Sequence, residues 1–258
     1  MNILLTNDDG ISANGLTMLC ERLSELGNVF VAAPREHMSA AGHGLSLGPI
    51  DVEQVEVIPG VTGFSINGTP ADCVKLAILE LVDEPIDLVV SGLNNGTNLG
   101  VNIWYSGTVA AAREACFYGI PAVALSTQIH NPAKLKPVCN HALHLLKKLL
   151  PLEAGIYNIN IPHEPVLGMK VLPQSTVNFH EAYKRVETAN GLYYQVVMKN
   201  EQPQMPRSDV EAFEEGYITI TPLTINQTSS GEISKLEKRI NTVKIYRQVN
   251  VTAEIEIE

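Results

Sequence analysis

Asn2-Ile-Leu-Leu-Thr-Asn-Asp-Asp-Gly10 opens the chain, and its reading decides the fold. A short apolar run stops abruptly at two adjacent carboxylates and a glycine, which reads as a buried strand delivered into a loop. Immediately downstream Leu16, Leu19, Leu23 and Leu26 recur at helical spacing before Gly27, and Val29-Phe-Val-Ala-Ala33 ends at Pro34. Strand, helix and strand within so short a span form a βαβ unit, and such units build parallel sheets.

Working outward, the alternation continues. Residues 35–49, rich in Gly, Ser, Ala and His, read as an ordered loop beyond the second strand, and Asn67-Gly68 marks a turn. Thr69-Pro70-Ala71-Asp72 supplies a capping hydroxyl, a proline at the first helical position and an acid in the first turn, ahead of Val74, Ala77, Ile78 and Leu81. A buried strand is expected at 86–90, a polar loop at 91–102, and a helix carrying Val109, Ala112 and Cys116 on one face. A strand at 121–125, a helix at 137–149 and a strand at 156–161 complete a doubly wound, Rossmann-like α/β core over residues 1–165. Residues 166–258 read as an α+β extension. It holds a hairpin at 185–198 around Asn190-Gly191, a returning strand at 217–221, a helix at 233–243 and an alternating tail at 249–257 that gains burial by packing on another subunit.

The 258 residues include 45% hydrophobic and 18% charged side chains, enough to bury a substantial core. Lys and Arg number 18 against 28 Asp and Glu, a formal charge of −10 without any basic stripe, so duplex nucleic acid is not an expected partner. An anionic ligand would then need local attraction from a cation or a helix N-terminus. Cys20, Cys73, Cys116 and Cys139 form no C-x-x-C pair, consistent with reduced thiols. The first residues lack an export signal, and the uncharged stretch 88–112 contains four Asn and four Gly, which hydrocarbon penalises. A cytoplasmic protein without a membrane partner is expected.

Two groups of residues point to chemistry. Asp8 and Asp9 stand where open α/β sheets bind ligands, and paired hard carboxylates suit Mg²⁺ or Mn²⁺; capping of the following helix is the equally weighted alternative. Asn94 can offer a neutral oxygen to a cation. Ser106-Gly107-Thr108, opening a helix, can offer hydroxyl and backbone donors to a phosphate, although an ordinary N-cap explains any one of them. His37 and His43 lie in a loop able to reach this region, whereas His141 and His144 share a helix face. Nucleotide-binding G-x-x-x-x-G-K-[ST] and G-x-G-x-x-G fingerprints and the G-x-S-x-G elbow are absent.

Taken together, Thr6-Asn-Asp-Asp-Gly10, Ala33-Pro34 with Ser39 and Gly42-His43, Gly68-Thr-Pro-Ala-Asp-Cys73, Ser91-Gly-Leu-Asn94 and Tyr105-Ser-Gly-Thr-Val-Ala-Ala111 resemble the SurE family of 5′-nucleotidases, an echo extending to Asn158-Ile-Asn160 and Gly216-Tyr-Ile-Thr-Ile-Thr-Pro222. The resemblance implies a divalent-metal-dependent phosphatase acting on nucleoside 5′-monophosphates, with 3′-monophosphates and short polyphosphate as further candidate substrates. It implies one Mg²⁺ or Mn²⁺ per subunit held by Asp8, Asp9, Ser39 and Asn94. It places Asn98, Ser106, Gly107 and Thr108 around the phosphate with His43 on the substrate side, and makes Asp8, Asp9 and Ser106 catalytic. It further implies a homodimer or homotetramer associating through the C-terminal region. Met38 and Ala40 replace the usual arginine and glycine around the loop serine, and Val101 and Asn102 replace acidic residues, so altered substrate affinity is expected. Attack by water is favoured over an aspartyl-phosphate because Asp8 and Asp9 are contiguous rather than Asp-x-Asp. The acid for the leaving alkoxide stays open between His43 and a second water on the cation. A metal-dependent nucleotide sensor without turnover is the alternative from a different class.

Overall fold

The computed structural model of the chain describes residues 1–177, 181–188, 191–198 and 205–242. Its first strand, β1 (Asn2–Thr6), runs into α1 (Asn14–Leu23) and β2 (Asn28–Pro34). A β-hairpin unforeseen from the sequence follows, β3 (Val52–Ile58) and β4 (Val61–Ile66), and then α2 (Pro70–Leu76) with a wider π turn at Ala77–Leu81. The core continues through β5 (Leu88–Asn95), α3 (Gly107–Phe117), β6 (Ala122–Thr127), α4 (Leu135–Leu149) and β7 (Ile156–Ile161). Beyond it come β8 (Gly168–Val171), the hairpin strands β9 (Glu181–Thr188) and β10 (Gly191–Met198), α5 (Asp209–Glu214), β11 (Tyr217–Leu223) and α6 (Ser230–Thr242).

Nine strands form one sheet in the order β3-β4-β2-β1-β5-β6-β7-β11-β8. The β2-β1-β5-β6-β7 centre is parallel, and β11 enters antiparallel to β7. Strand order reverses at β1, flanked by β2 on one side and β5 on the other, which opens a crevice at the carboxyl ends of these strands. β1 buries both faces: Ile3 and Leu5 pack with Leu16, Leu19 and Leu23 of α1 and Leu145 of α4, whereas Leu4 packs with Val74 of α2 and Val109 and Ala112 of α3. That two-sided burial explains a continuous apolar run rather than an alternating one.

The polar loop expected at 91–102 is corrected by the structure. β5 carries on to Asn95, breaking register between Ser91 and Asn94 before Asn94 pairs opposite Ser126. Gly92 permits this: its φ is +149°, and a Cβ there would lie 2.5 Å from the Leu125 carbonyl oxygen. The polar composition of the segment conceals a strand end that carries site residues.

One compact unit spans Met1–Ile225, so that β8 and β11 belong to the main sheet, and the second spans Asn226–Glu258. β9 and β10 form a separate two-stranded sheet. The expected turn residue Asn190 and the strand at 249–257 lie outside the described residues, as does the end of the 233–243 helix. Cys20, Cys73 and Cys139 are buried free thiols, and burial pushes Cys20 and Cys139 up to about 11. Among the described residues no helix is long and apolar enough to cross a membrane.

Candidate active site

The loop after β1 is shaped by Asn7, a buried residue that sequence reading passed over. Its side-chain amide donates to the Gly10 carbonyl at 2.9 Å and its oxygen accepts the Gly10 N–H at 3.2 Å, closing a turn that Gly10 completes at φ +102°. The signal was present in the sequence as Asn-x-x-Gly.

This turn leaves Asp8 facing the start of α3. The Thr108 hydroxyl donates to Asp8 Oδ1 at 2.7 Å and the Thr108 N–H donates to Asp8 Oδ2 at 3.2 Å, joining residues a hundred positions apart. Gly107 makes the approach possible, since a Cβ on it would stand 2.9 Å from the Asp8 Cβ and 3.1 Å from the ring of Pro70. Burial pushes the Asp8 carboxyl up and the Asp9 charge adds to this, against the lowering effect of the Thr108 hydrogen bonds. The N-cap of α1 is Ala13, with no side-chain cap, so neither carboxylate serves in that role.

Asp9 is held from two sides: Oδ2 accepts the Asn95 N–H at 3.1 Å, and Oδ1 lies 3.2 Å from His37 Nδ1. The other ring nitrogen of His37 is 2.6 Å from the Ser39 hydroxyl, so this histidine bridges Asp9 and Ser39. Met38, beside it, donates its N–H to the Asp8 carbonyl at 2.7 Å. Asn94 donates its side-chain nitrogen to the Gly96 carbonyl at 2.7 Å, which leaves its amide oxygen as the group a cation would use. Asp9 and Asn94 line a common pocket of about 250 Å³. Loops after β1 and β2 and the end of β5 thus converge at the crevice.

Ala40 stands in the left-handed region at φ +57°. An L side chain there costs roughly 1–2 kcal/mol, the physical reason a glycine suits this position better. The rest of the loop is well anchored. Ser46 donates its hydroxyl to Asp72 at 2.7 Å, Thr69 donates to the Gly44 carbonyl at 2.7 Å, and Gly42 donates its N–H to the Tyr105 carbonyl at 3.1 Å.

The remaining sequence candidates fall into two environments. Ser106 caps α3, its oxygen accepting the Val109 N–H at 3.1 Å, while its hydroxyl proton stays available to another acceptor. Asn98 is buried in an amide cluster: its side chain donates to the Ser126 hydroxyl at 2.8 Å, and its carbonyl accepts from Asn158 at 2.7 Å and Asn160 at 3.1 Å. His43 lies 2.8 Å from the carboxylate of Glu114 and stacks on Phe117 at 5.4 Å. Glu114, 1% exposed, also meets Lys75 at 3.0 Å. Burial pushes the Glu114 carboxyl up, but His43 and Lys75 outweigh it and hold it below the usual range. Nothing in the sequence paired Glu114 with His43, 71 positions away.

Among the described residues no group of three or more His, Cys, Asp or Glu gathers as a metal-binding cluster. Asp8, Asp9, Ser39 and Asn94 instead offer only oxygens, and the carboxylates of Asp8 and Asp9 repel each other. That donor chemistry fits a hard divalent cation such as Mg²⁺ or Mn²⁺ and is poorly suited to zinc.

Comparison with known proteins gives matches over most of the chain. A family model described as survival protein SurE matches residues 3–181. A 5′-nucleotidase SurE of Trichormus variabilis is 40% identical over 257 residues, spanning 92% of this chain and 97% of that protein. One from Lawsonia intracellularis is 41% identical over 252 residues, spanning 92% and 98%. Among solved structures, a SurE protein from Aquifex aeolicus matches with a TM-score of 0.80 at 31% identity, covering 93% of this chain and all of that one.

Proposed function

Since the chain belongs to the survival protein SurE family, we infer that it is a 5′-nucleotidase, a metal-dependent phosphatase that hydrolyses nucleoside 5′-monophosphates to nucleoside and phosphate. The observation that carries this reading at the level of residues is the contact of Thr108 with Asp8 at 2.7 Å. It puts a carboxylate suited to a cation beside a helix start suited to a phosphate, so one phosphoryl group can meet both.

In this reading Asp8, Asp9, Ser39 and Asn94 hold one Mg²⁺ or Mn²⁺. When bound, such a cation polarises a phosphoryl oxygen and lowers the pKa of the attacking water. The chain's own residues then divide the remaining work. Thr108 positions Asp8, and the Asn95 N–H with His37 positions Asp9, so the carboxylates need little rearrangement when a ligand arrives. Each Asp8 oxygen accepts one hydrogen bond and keeps a second lone pair for a cation. That engagement of both oxygens favours water over Asp8 as the nucleophile. The Ser106 hydroxyl and the Gly107 N–H at the start of α3 face the developing charge on the phosphoryl oxygens, since the Thr108 and Val109 N–H groups already donate to Asp8 and Ser106. Asn98 fixes the β5–α3 connection through Asn158 and Asn160, and His43 braces the loop after β2 against α3 through Glu114.

Purified protein supplied with Mg²⁺ or Mn²⁺ is expected to release phosphate from nucleoside 5′-monophosphates and to stop when a chelator is added. The same panel should include 3′-monophosphates and short polyphosphate. Tight nucleotide binding without release under any divalent cation would favour a sensor instead.

We also propose that the subunits associate through the C-terminal region. The β9–β10 hairpin exposes Tyr183, Leu192, Tyr194 and Val196, and α6 exposes Ile233, Leu236 and Ile240 at helical spacing. A two-stranded hairpin is marginal alone, and burying these faces would stabilise it. Light scattering should give two or four times the 28.0 kDa chain mass, and a monomer would overturn the assignment.

A further inference from the structure

A second hollow lies at the same end of the sheet as Asp8 and Asp9. It has a volume of about 650 Å³ and is lined by Ile129, His130, Pro137, His141, His163 and Glu164, among others. Residues 129–131 follow β6, residues 162–164 follow β7, and Pro137 and His141 belong to the first half of α4. Ile129 and His130 line both this hollow and the pocket of Asp9 and Asn94, so the two lie side by side.

Size and lining distinguish the two compartments. The Asp9 pocket, at about 250 Å³, falls short of the roughly 300–1,000 Å³ typical of small-molecule sites, whereas the neighbouring hollow lies within that range. Three imidazole rings give it flat, polarisable faces, and Ile129 and Pro137 add apolar wall. His141 Nε2 lies 3.3 Å from Glu164 Oε1 and His163 Nδ1 lies 3.1 Å from the Glu164 carbonyl, contacts that orient both rings. Flat faces with hydrogen-bonding groups along the edge are what a nucleobase requires.

We propose that this hollow is the nucleobase subsite of the enzyme, with His130 at the neck between the base and phosphate ends. The proposal rests on the nucleotidase reading and deepens it. No part of the phosphate machinery lies in the hollow's wall beyond that neck.

The test is Ala133→Trp, which projects an indole into the hollow from an exposed turn position. KM for a nucleoside 5′-monophosphate is expected to rise at least about tenfold, equivalent to about 1.4 kcal/mol. The inhibition constant of inorganic phosphate, which occupies only the other end, should not change. An unaltered KM, or an equal weakening of nucleotide and phosphate, overturns the proposal. His163→Ala, at an exposed position, should shift KM in the same direction and guards against misfolding of the first variant. Binding is also readable without turnover: unphosphorylated nucleoside should shift the imidazole resonances of His141 and His163 in NMR spectra of the full chain. Absence of that shift overturns the subsite even where hydrolysis is robust. The shift in a protein that releases no phosphate supports the subsite and counts against the nucleotidase reading.

Discussion

Asp9→Ala is expected to reduce phosphate release from nucleoside 5′-monophosphates by at least about a thousandfold, since a cation contributes several kcal/mol of transition-state stabilisation. The variant should keep the circular dichroism of the parent. Asp9 is partly exposed and its partners, the Asn95 N–H and His37, lie beside solvent, so losing the carboxylate strands little that is buried. Asp8 differs in this respect. It is 4% exposed and satisfies both Thr108 donors, so Asp8→Ala should lose activity and also about 1–3 kcal/mol of stability. Steady-state assays at saturating Mn²⁺, run beside urea titrations of both variants, separate the two effects. An Asp9→Ala protein that retains a tenth of parent activity would remove Asp9 from the cation's ligands.

Glu114→Ala is expected to destabilise the fold by about 3 kcal/mol, the lower end for removal of one partner from a buried charged group because Lys75 stays partly exposed. The pH dependence has a definite sign. With its folded pKa below the ordinary value of 4.5, Glu114 contributes full stability above that value and loses it as the pH falls through the lowered one. The gap between parent and Glu114→Gln should therefore be constant near neutrality and narrow below pH 4.5. Unfolding midpoints in urea measured across that window check this, and a gap that persists undiminished well below it would show that Glu114 is not held as a carboxylate. Since His43 anchors its loop on Glu114, KM should rise in the same variant while the cation's ligands remain in place.

Much of this architecture was legible in order along the chain. Where burial is two-sided, as in β1 and β6, a run of apolar residues announced a strand, and Thr69-Pro70 with Asp72 announced α2 by its cap. Legibility failed where polar or glycine-rich residues occupy strands. Residues 91–95 read as loop because Ser, Gly and Asn are poor strand formers, yet pairing of Asn94 and Asn95 with Ser126 and Thr127 overrides that preference. The β3–β4 hairpin escaped notice because its exposed edge strand carries Glu53, Gln54 and Glu56.

The sequence by itself determined most of the elements and much of the candidate chemistry: two carboxylates at a strand end, Asn94 as an oxygen donor and a serine at a helix start, read from local composition and spacing, with Ser39 added by the family resemblance. Only the tertiary structure decided which of these meet. Thr108 turned out to grip Asp8, His37 to bridge Asp9 and Ser39, Asn98 to lock onto Asn158 and Asn160, and His43 to face Glu114. Contacts of this kind depend on strand order and on the close approach that Gly107 allows, quantities set by packing across the whole sheet and carried by no local stretch of residues.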